Sequence, residues 1–160
     1  MCDKAKLVPR LPGVYKKGNG KGDKSYGGYA NYHRAPGNFV LKVPAGLDPA
    51  FAAPLMCGGV TVYSPLKQYG AGTTAKDVGI VGIGGLGHFG LLFAKALGAN
   101  VTAISHSESK KADATAMGAT TFIATHSGGD ADFAPYRRSL DLIICTTSTP
   151  QPPPHRCERR

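Results

Sequence analysis

Six consecutive residues, Gly82-Ile83-Gly84-Gly85-Leu86-Gly87, carry the spacing G-x-G-x-x-G. The pattern alone is weak, but here it follows the apolar run Val78–Ile83 and opens the apolar stretch Leu86–Leu97, which is the strand–turn–helix context a dinucleotide-binding turn requires. Each glycine has a physical task. Gly82 permits the tight turn, Gly84 lets a pyrophosphate approach backbone N–H groups, and Gly87 lets the helix pack close to the strand. A helix N-terminus adds unbonded donors and the positive end of the helix dipole. The competing reading is a glycine-rich turn with no ligand.

A second constellation stands at the end of the next apolar run: Ser105, His106 and Ser107, with Lys110 and Lys111 one turn on. A carboxylate at that place would bind a ribose 2′-hydroxyl and repel a 2′-phosphate. Hydroxyls and an ammonium suit the phosphate, so the expected cofactor is NADP rather than NAD. Glu108 runs against this, but it lies three residues beyond the expected strand end. The bland alternative is that Lys110 and Lys111 open a solvated helix.

These residues need elements to position them. The reading predicts strands at 78–83, 100–105, 120–124 and 141–145, and helices at 86–97 and 109–117, closed by Gly98 and Gly118. Asp48 caps a helical stretch with Pro49 at its first position; that stretch continues to residue 70, broken or kinked by Pro54 and Pro65. Residues 38–43 are a short strand candidate, and residues 1–38 read as loop and turn. The order β-α-β-α-β-β with fully apolar strands predicts an α/β fold, a Rossmann-type doubly wound parallel sheet. Residues 149–160, TPQPPPHRCERR, are proline-rich and then basic, and read as a disordered tail.

Composition narrows the functional classes. The chain has 160 residues and a net charge of +9, yet the excess sits mainly towards its two ends, and residues 43–101 carry only Lys67, Lys76 and Lys95. No basic stripe interleaves with aromatics, so no nucleic-acid partner is expected. Glycines interrupt the apolar run 78–101, so a strand, turn and buried helix explain it better than a membrane helix. The four cysteines, Cys2, Cys57, Cys145 and Cys157, form no C-x-x-C pair. A reducing, cytoplasmic setting is expected, and the N-terminus has no signal-peptide core.

The segments KSYGGYANY (24–32), APLMCGGVTVYSPLKQYG (53–70), VGIVGIGGLGHFGLLFAKALGANVTAIS (78–105), KKADATAMGAT (110–120) and DLIICTTS (141–148) resemble the cinnamyl-alcohol-dehydrogenase-like, NADP-dependent branch of the zinc-dependent medium-chain alcohol dehydrogenases, in its fungal and yeast form. The resemblance implies interconversion of aldehydes and primary alcohols, with zinc and NADP as cofactors and usually a homodimer. It implies three regions: 1–52, a remnant of a GroES-like catalytic domain; 53–148, an incomplete NADP-binding Rossmann domain; and 149–160, the tail. It makes Cys57 a catalytic zinc ligand, where an isolated cysteine in an apolar helix would be read as inert core. It places Thr61 and Thr146 near the cofactor, aligns Gly82 to Gly87 with the pyrophosphate turn, and aligns Ser105 to Lys110 with the phosphate-reading segment, where His106 stands in place of a frequent arginine. It makes Cys2 a candidate ligand of a structural zinc loop.

The resemblance also implies that the segments bearing the other zinc ligands precede residue 1, so the 160-residue chain is expected to reduce no aldehyde by itself. Two alternatives accompany this reading: a catalytically incompetent NADP-binding fragment, and a zinc-free, quinone-reductase-like member of the superfamily. The Cys57 segment argues against the second.

Overall fold

A computed structural model describes residues 13–14, 24–25, 29, 31–32, 37–125 and 130–148. The chain divides into two units, Met1–Gly46 and Leu47–Arg160. In the first, β1 (Gly13–Val14) and β2 (Lys24–Ser25) pair antiparallel. Cys2 and the tail at 149–160 lie outside the described residues.

The strand expected at 38–43 is not formed. Residues Gly37–Phe39 make a single 3₁₀ turn, and the stretch that follows has no regular structure. Val40 and Leu41 are exposed. An apolar run becomes a strand only where a neighbour completes its backbone hydrogen bonds, and none of the described strands pairs with this one.

The second unit is the α/β fold the patterning predicts. Asp48 caps α1 (Pro49–Ala52) by accepting from the Ala50 N–H at 2.8 Å. Pro54 falls in the 3₁₀ turn Ala53–Met56 that follows. Chain direction is re-established in α2 (Gly58–Gln68), which holds Pro65 in its last turn. The break thus comes at Pro54 and Cys57, and Pro65 is absorbed within the helix. Then come β3 (Asp77–Val81), α3 (Gly85–Ala96), β4 (Asn100–Ser105), α4 (Lys111–Ala116), β5 (Thr121–Ala124) and β6 (Leu142–Cys145). The start of the expected helix at 109–117 is tightened into a 3₁₀ turn, Glu108–Lys110. Gly98, at φ +90°, stops α3 as expected; the next N–H, that of Ala99, reaches back to the Ala94 carbonyl.

All four strands of this sheet are parallel, in the order β5-β4-β3-β6. Val78, Ile80 and Val101 are fully buried together with Leu66 of α2 and Leu91 of α3. A parallel strand covered on both faces has no solvent side, so β3 reads as a continuous apolar run rather than an alternating one. α3 packs on β3 and β4, α2 packs on α3, and α4 lies against β5. At the N-terminal end of the sheet, one carboxylate oxygen of Asp141 accepts from the Lys76 and Asp77 N–H groups, at 2.9 and 3.0 Å. That clasp brings the start of β6 to the start of β3. The strand order then reverses direction at β3: β4 and β5 build outward on one side, and the chain returns across to place β6 on the other.

Candidate functional site: the cleft at the carboxyl ends of the strands

The registers align the four strand ends. Val81 stands opposite Ile104 on one side and Cys145 on the other, and Ser105 stands opposite Ala124. The backbone carries the ladder one step further: Gly82 N–H bonds Ile104 O, Thr125 N–H bonds Ser105 O and Thr146 N–H bonds Val81 O, each at 2.9 Å. The residues just past each strand, Gly82, His106, Thr125 and Thr146, therefore share one edge. They surround a cleft of about 330 Å³. It lies outside the carboxyl ends of the strands, at the reversal of strand order between β3 and β6, where open α/β sheets bind ligands.

The glycine turn forms one wall. Gly82 has φ +87°, a conformation that side-chain-bearing residues avoid. A Cβ there would also stand 2.5 Å from Thr147 Cγ2. Gly87 is buried, and a Cβ on it would run into the Gly82 carbonyl oxygen. The helix start and the strand end are thus in backbone contact, and only glycine allows it. Gly84 and Gly85 differ: a Cβ on either would meet nothing within 4 Å. Their missing side chains leave open space at the helix start instead of relieving a clash. Gly84 is the N-cap of α3 and offers no side chain to the first N–H groups, so those donors remain for solvent or a ligand. Leu86 lies on the helix and does not line the cleft.

Thr146 ties the turn down from the other side. Its hydroxyl proton is shared between the Val81 and Gly82 carbonyl oxygens, 2.9 Å from each. On the β4 side, Ser105 is buried, and His106 Nδ1 lies 3.1 Å from the Thr125 carbonyl oxygen. Lys110 turns its ammonium back across the cleft to the Ile83 carbonyl oxygen, at 2.7 Å. None of the residues lining the cleft is acidic.

The structure therefore gathers Gly82, Ile83, Gly84, Ser105, His106, Lys110 and Thr146 around one cleft. It leaves Ser107 outside: its hydroxyl caps the Ser109 N–H at 3.3 Å and bonds Ser109 Oγ at 2.8 Å. Thr125, Thr147 and Ser148 also line the cleft, and residue-by-residue reading missed them. The signal that finds them is positional, since each follows a parallel strand at its carboxyl end.

Cys57 is not the buried core residue that a cysteine in an apolar helix suggests. It is exposed, between the 3₁₀ turn and α2. Its carbonyl accepts both the N–H and the hydroxyl of Thr61, at 3.0 and 2.8 Å. The neighbouring Gly58 lies against Leu86 and Phe89, so the start of α2 sits beside the first turn of α3. Neither Cys57 nor Thr61 lines the cleft. Among the described residues, no three His, Cys, Asp or Glu side chains gather into a group that could hold a metal ion. Those residues alone do not fit a zinc centre, which needs three protein ligands and an open position.

No described helix is long and apolar enough to cross a membrane. Residues 85–149 match the family model of zinc-binding dehydrogenases. The chain is 42% identical over 153 residues to NADP-dependent alcohol dehydrogenase 6 of Saccharomyces cerevisiae, covering 92% of this chain and 42% of that protein. It is 45% identical over 132 residues to a probable cinnamyl alcohol dehydrogenase of Lolium perenne, covering 82% of this chain and 36% of that protein. Among solved structures, CAD from Helicobacter pylori, complexed with NADP(H), superposes with a TM-score of 0.66 at 36% identity, over 80% of this chain and 35% of that one. The chain thus spans less than half the length of each of these relatives.

Proposed function

The chain carries zinc-binding dehydrogenase sequence over residues 85–149, and from that premise we propose that it binds the NADP(H) of an oxidoreductase interconverting aldehydes and primary alcohols. The observation that carries the cofactor choice is the cleft itself: Ser105, His106 and Lys110 line its β4 side, and none of its lining residues is acidic. The yeast relative's name and the Helicobacter pylori complex with NADP(H) support the same reading.

The division of labour follows from the geometry. The open backbone at Gly84 and Gly85 and the uncapped start of α3 receive the pyrophosphate, because N–H donors and the helix dipole both favour an anion there. Thr146 holds the Gly82 carbonyl and with it the shape of the turn. Ser105, His106 and Lys110 receive the 2′-phosphate through charge-assisted and hydroxyl hydrogen bonds. Bound NADPH supplies the hydride. Cys57 is a candidate zinc ligand through its segment, and no reaction step is routed through it. The free thiols Cys57 and Cys145 suit a reducing compartment such as the cytoplasm.

The test is a calorimetric titration of the 160-residue chain with NADP and with NAD at one pH and ionic strength. Tighter binding of NADP is expected. Equal dissociation constants would overturn the cofactor choice, and failure of both to bind would overturn the nucleotide reading.

A further inference from the structure

We propose that His106 makes recognition of the 2′-phosphate proton-coupled: the imidazole takes up a proton as NADP binds and takes up none as NAD binds. This rests on the nucleotide reading above and adds to it which residue senses pH and in which direction.

Thr125 presents a fixed acceptor to the His106 ring. Its side chain is buried, 3% exposed, and its N–H and hydroxyl both reach the Ser105 carbonyl, at 2.9 and 3.4 Å. The residue is fixed to the end of β4, and so is its carbonyl oxygen. That oxygen lies 3.1 Å from His106 Nδ1. A carbonyl can only accept, so Nδ1 carries the hydrogen whether the ring is neutral or charged. The ring's other nitrogen, Nε2, is then a bare acceptor in the neutral form and a donor only in the imidazolium. His106 lines the cleft, and a phosphate dianion there also offers only acceptors. Neutral His106 gives it nothing, whereas the imidazolium gives it a charge-assisted hydrogen bond.

The charged neighbours do not remove this dependence. On the same connection stand Glu108, Lys110 and Lys111. The Lys110 ammonium is engaged with the Ile83 carbonyl. From β5 the ring meets Thr125, which is neutral. The glycine turn contributes no titratable group, and β6 contributes Cys145, whose thiol bonds Thr147 Oγ1 at 3.3 Å. Of these titratable groups only His106 and Lys110 line the cleft, and an ammonium already holds its full complement of protons.

The sign follows from linkage. The phosphate binds the protonated ring, so affinity for NADP rises as pH falls, by at most about one decade per pH unit for one proton. A phosphate monoester itself titrates near pH 6, so the dependence must be read above about pH 7, where the phosphate is already a dianion.

The experiment titrates the 160-residue chain with NADP and NAD from pH 7 to 9, in two buffers of different ionisation enthalpy. The ratio of the NAD to the NADP dissociation constant is expected to fall severalfold across this range, with net proton uptake on NADP binding only. His106→Arg, a permanently charged donor, is expected to hold the ratio high and flat. His106→Gln is expected to hold it flat and lower. The His106 ring signals of the unmutated chain, followed by NMR titration with and without NADP, give a reading that needs no variant: the imidazole should titrate at higher pH in the complex. NADP binding without proton uptake, uptake that persists in His106→Arg, or an unmoved titration would overturn the proposal and leave the nucleotide reading standing. Failure of both dinucleotides to bind would overturn both.

Discussion

The Lys110 ammonium donates to the Ile83 carbonyl oxygen across 2.7 Å, joining the segment after β4 to the middle of the glycine turn. An ammonium has three donors, so this bond aims the head group into the cleft and leaves donors for a phosphate. Lys110→Ala should weaken NADP binding by on the order of 1–2 kcal/mol and NAD binding by less. Because the bond also braces the turn, unfolding free energy should drop by about 1 kcal/mol. Titration of both cofactors and urea unfolding measure the two effects. Equal losses for NADP and NAD would show that Lys110 serves only the turn.

The glycines of the turn should separate folding from binding. Gly87→Ala forces a Cβ against the Gly82 carbonyl, and such overpacking costs about 1–3 kcal/mol. Gly84→Ala meets nothing within 4 Å, so stability should change by less than about 1 kcal/mol. The new methyl would stand where a pyrophosphate must approach backbone donors, so both dinucleotides should bind at least tenfold more weakly. A Gly84→Ala chain that binds NADP normally would remove the pyrophosphate from this turn.

Thr146→Val keeps the shape of the side chain and removes the hydroxyl that holds the Val81 and Gly82 carbonyl oxygens. A stability loss of about 1 kcal/mol is expected, with weaker binding of NADP and NAD alike, since the turn serves both. Thermal unfolding and calorimetry check this. A loss confined to NADP would place Thr146 at the 2′-phosphate instead.

Asp141 acts at the far end of the sheet, where one carboxylate oxygen receives two backbone N–H groups. Asp141→Ala should destabilise the chain by about 1–2 kcal/mol. Asp141→Asn, which keeps a carbonyl acceptor, should cost less. Neither should change the ratio of NADP to NAD affinity, because the clasp and the cleft lie at opposite ends of the strands. An altered ratio would show that β6 register reaches the cleft.

Several elements were legible from the residues alone. β4 occupies residues 100–105 as the apolar pattern predicts, and the strand, glycine turn, helix and Gly98 stop of 78–105 follow in the expected order. Their causes are local: apolar period, the φ demanded at Gly82 and Gly98, and the helix-opening context. The strand expected at 38–43 failed for the opposite reason. Its residues are suitable, but a strand also needs a partner, and partners are not encoded within a six-residue window.

By itself, then, the sequence determined the kind of each main element, the place of the glycine turn and the absence of a carboxylate at the end of β4, because each depends on neighbours within a few residues. Only the tertiary structure decided the strand order β5-β4-β3-β6. That order brings Thr146 onto Gly82 across 64 residues, Lys110 onto Ile83 across 27, and the Thr125 carbonyl onto His106 across 19. A residue's type tells which hydrogen bonds it can make. Which group it meets is set by the packing of buried strands and helices, and that is where the carbonyl facing His106 Nδ1 and the aim of Lys110 were settled.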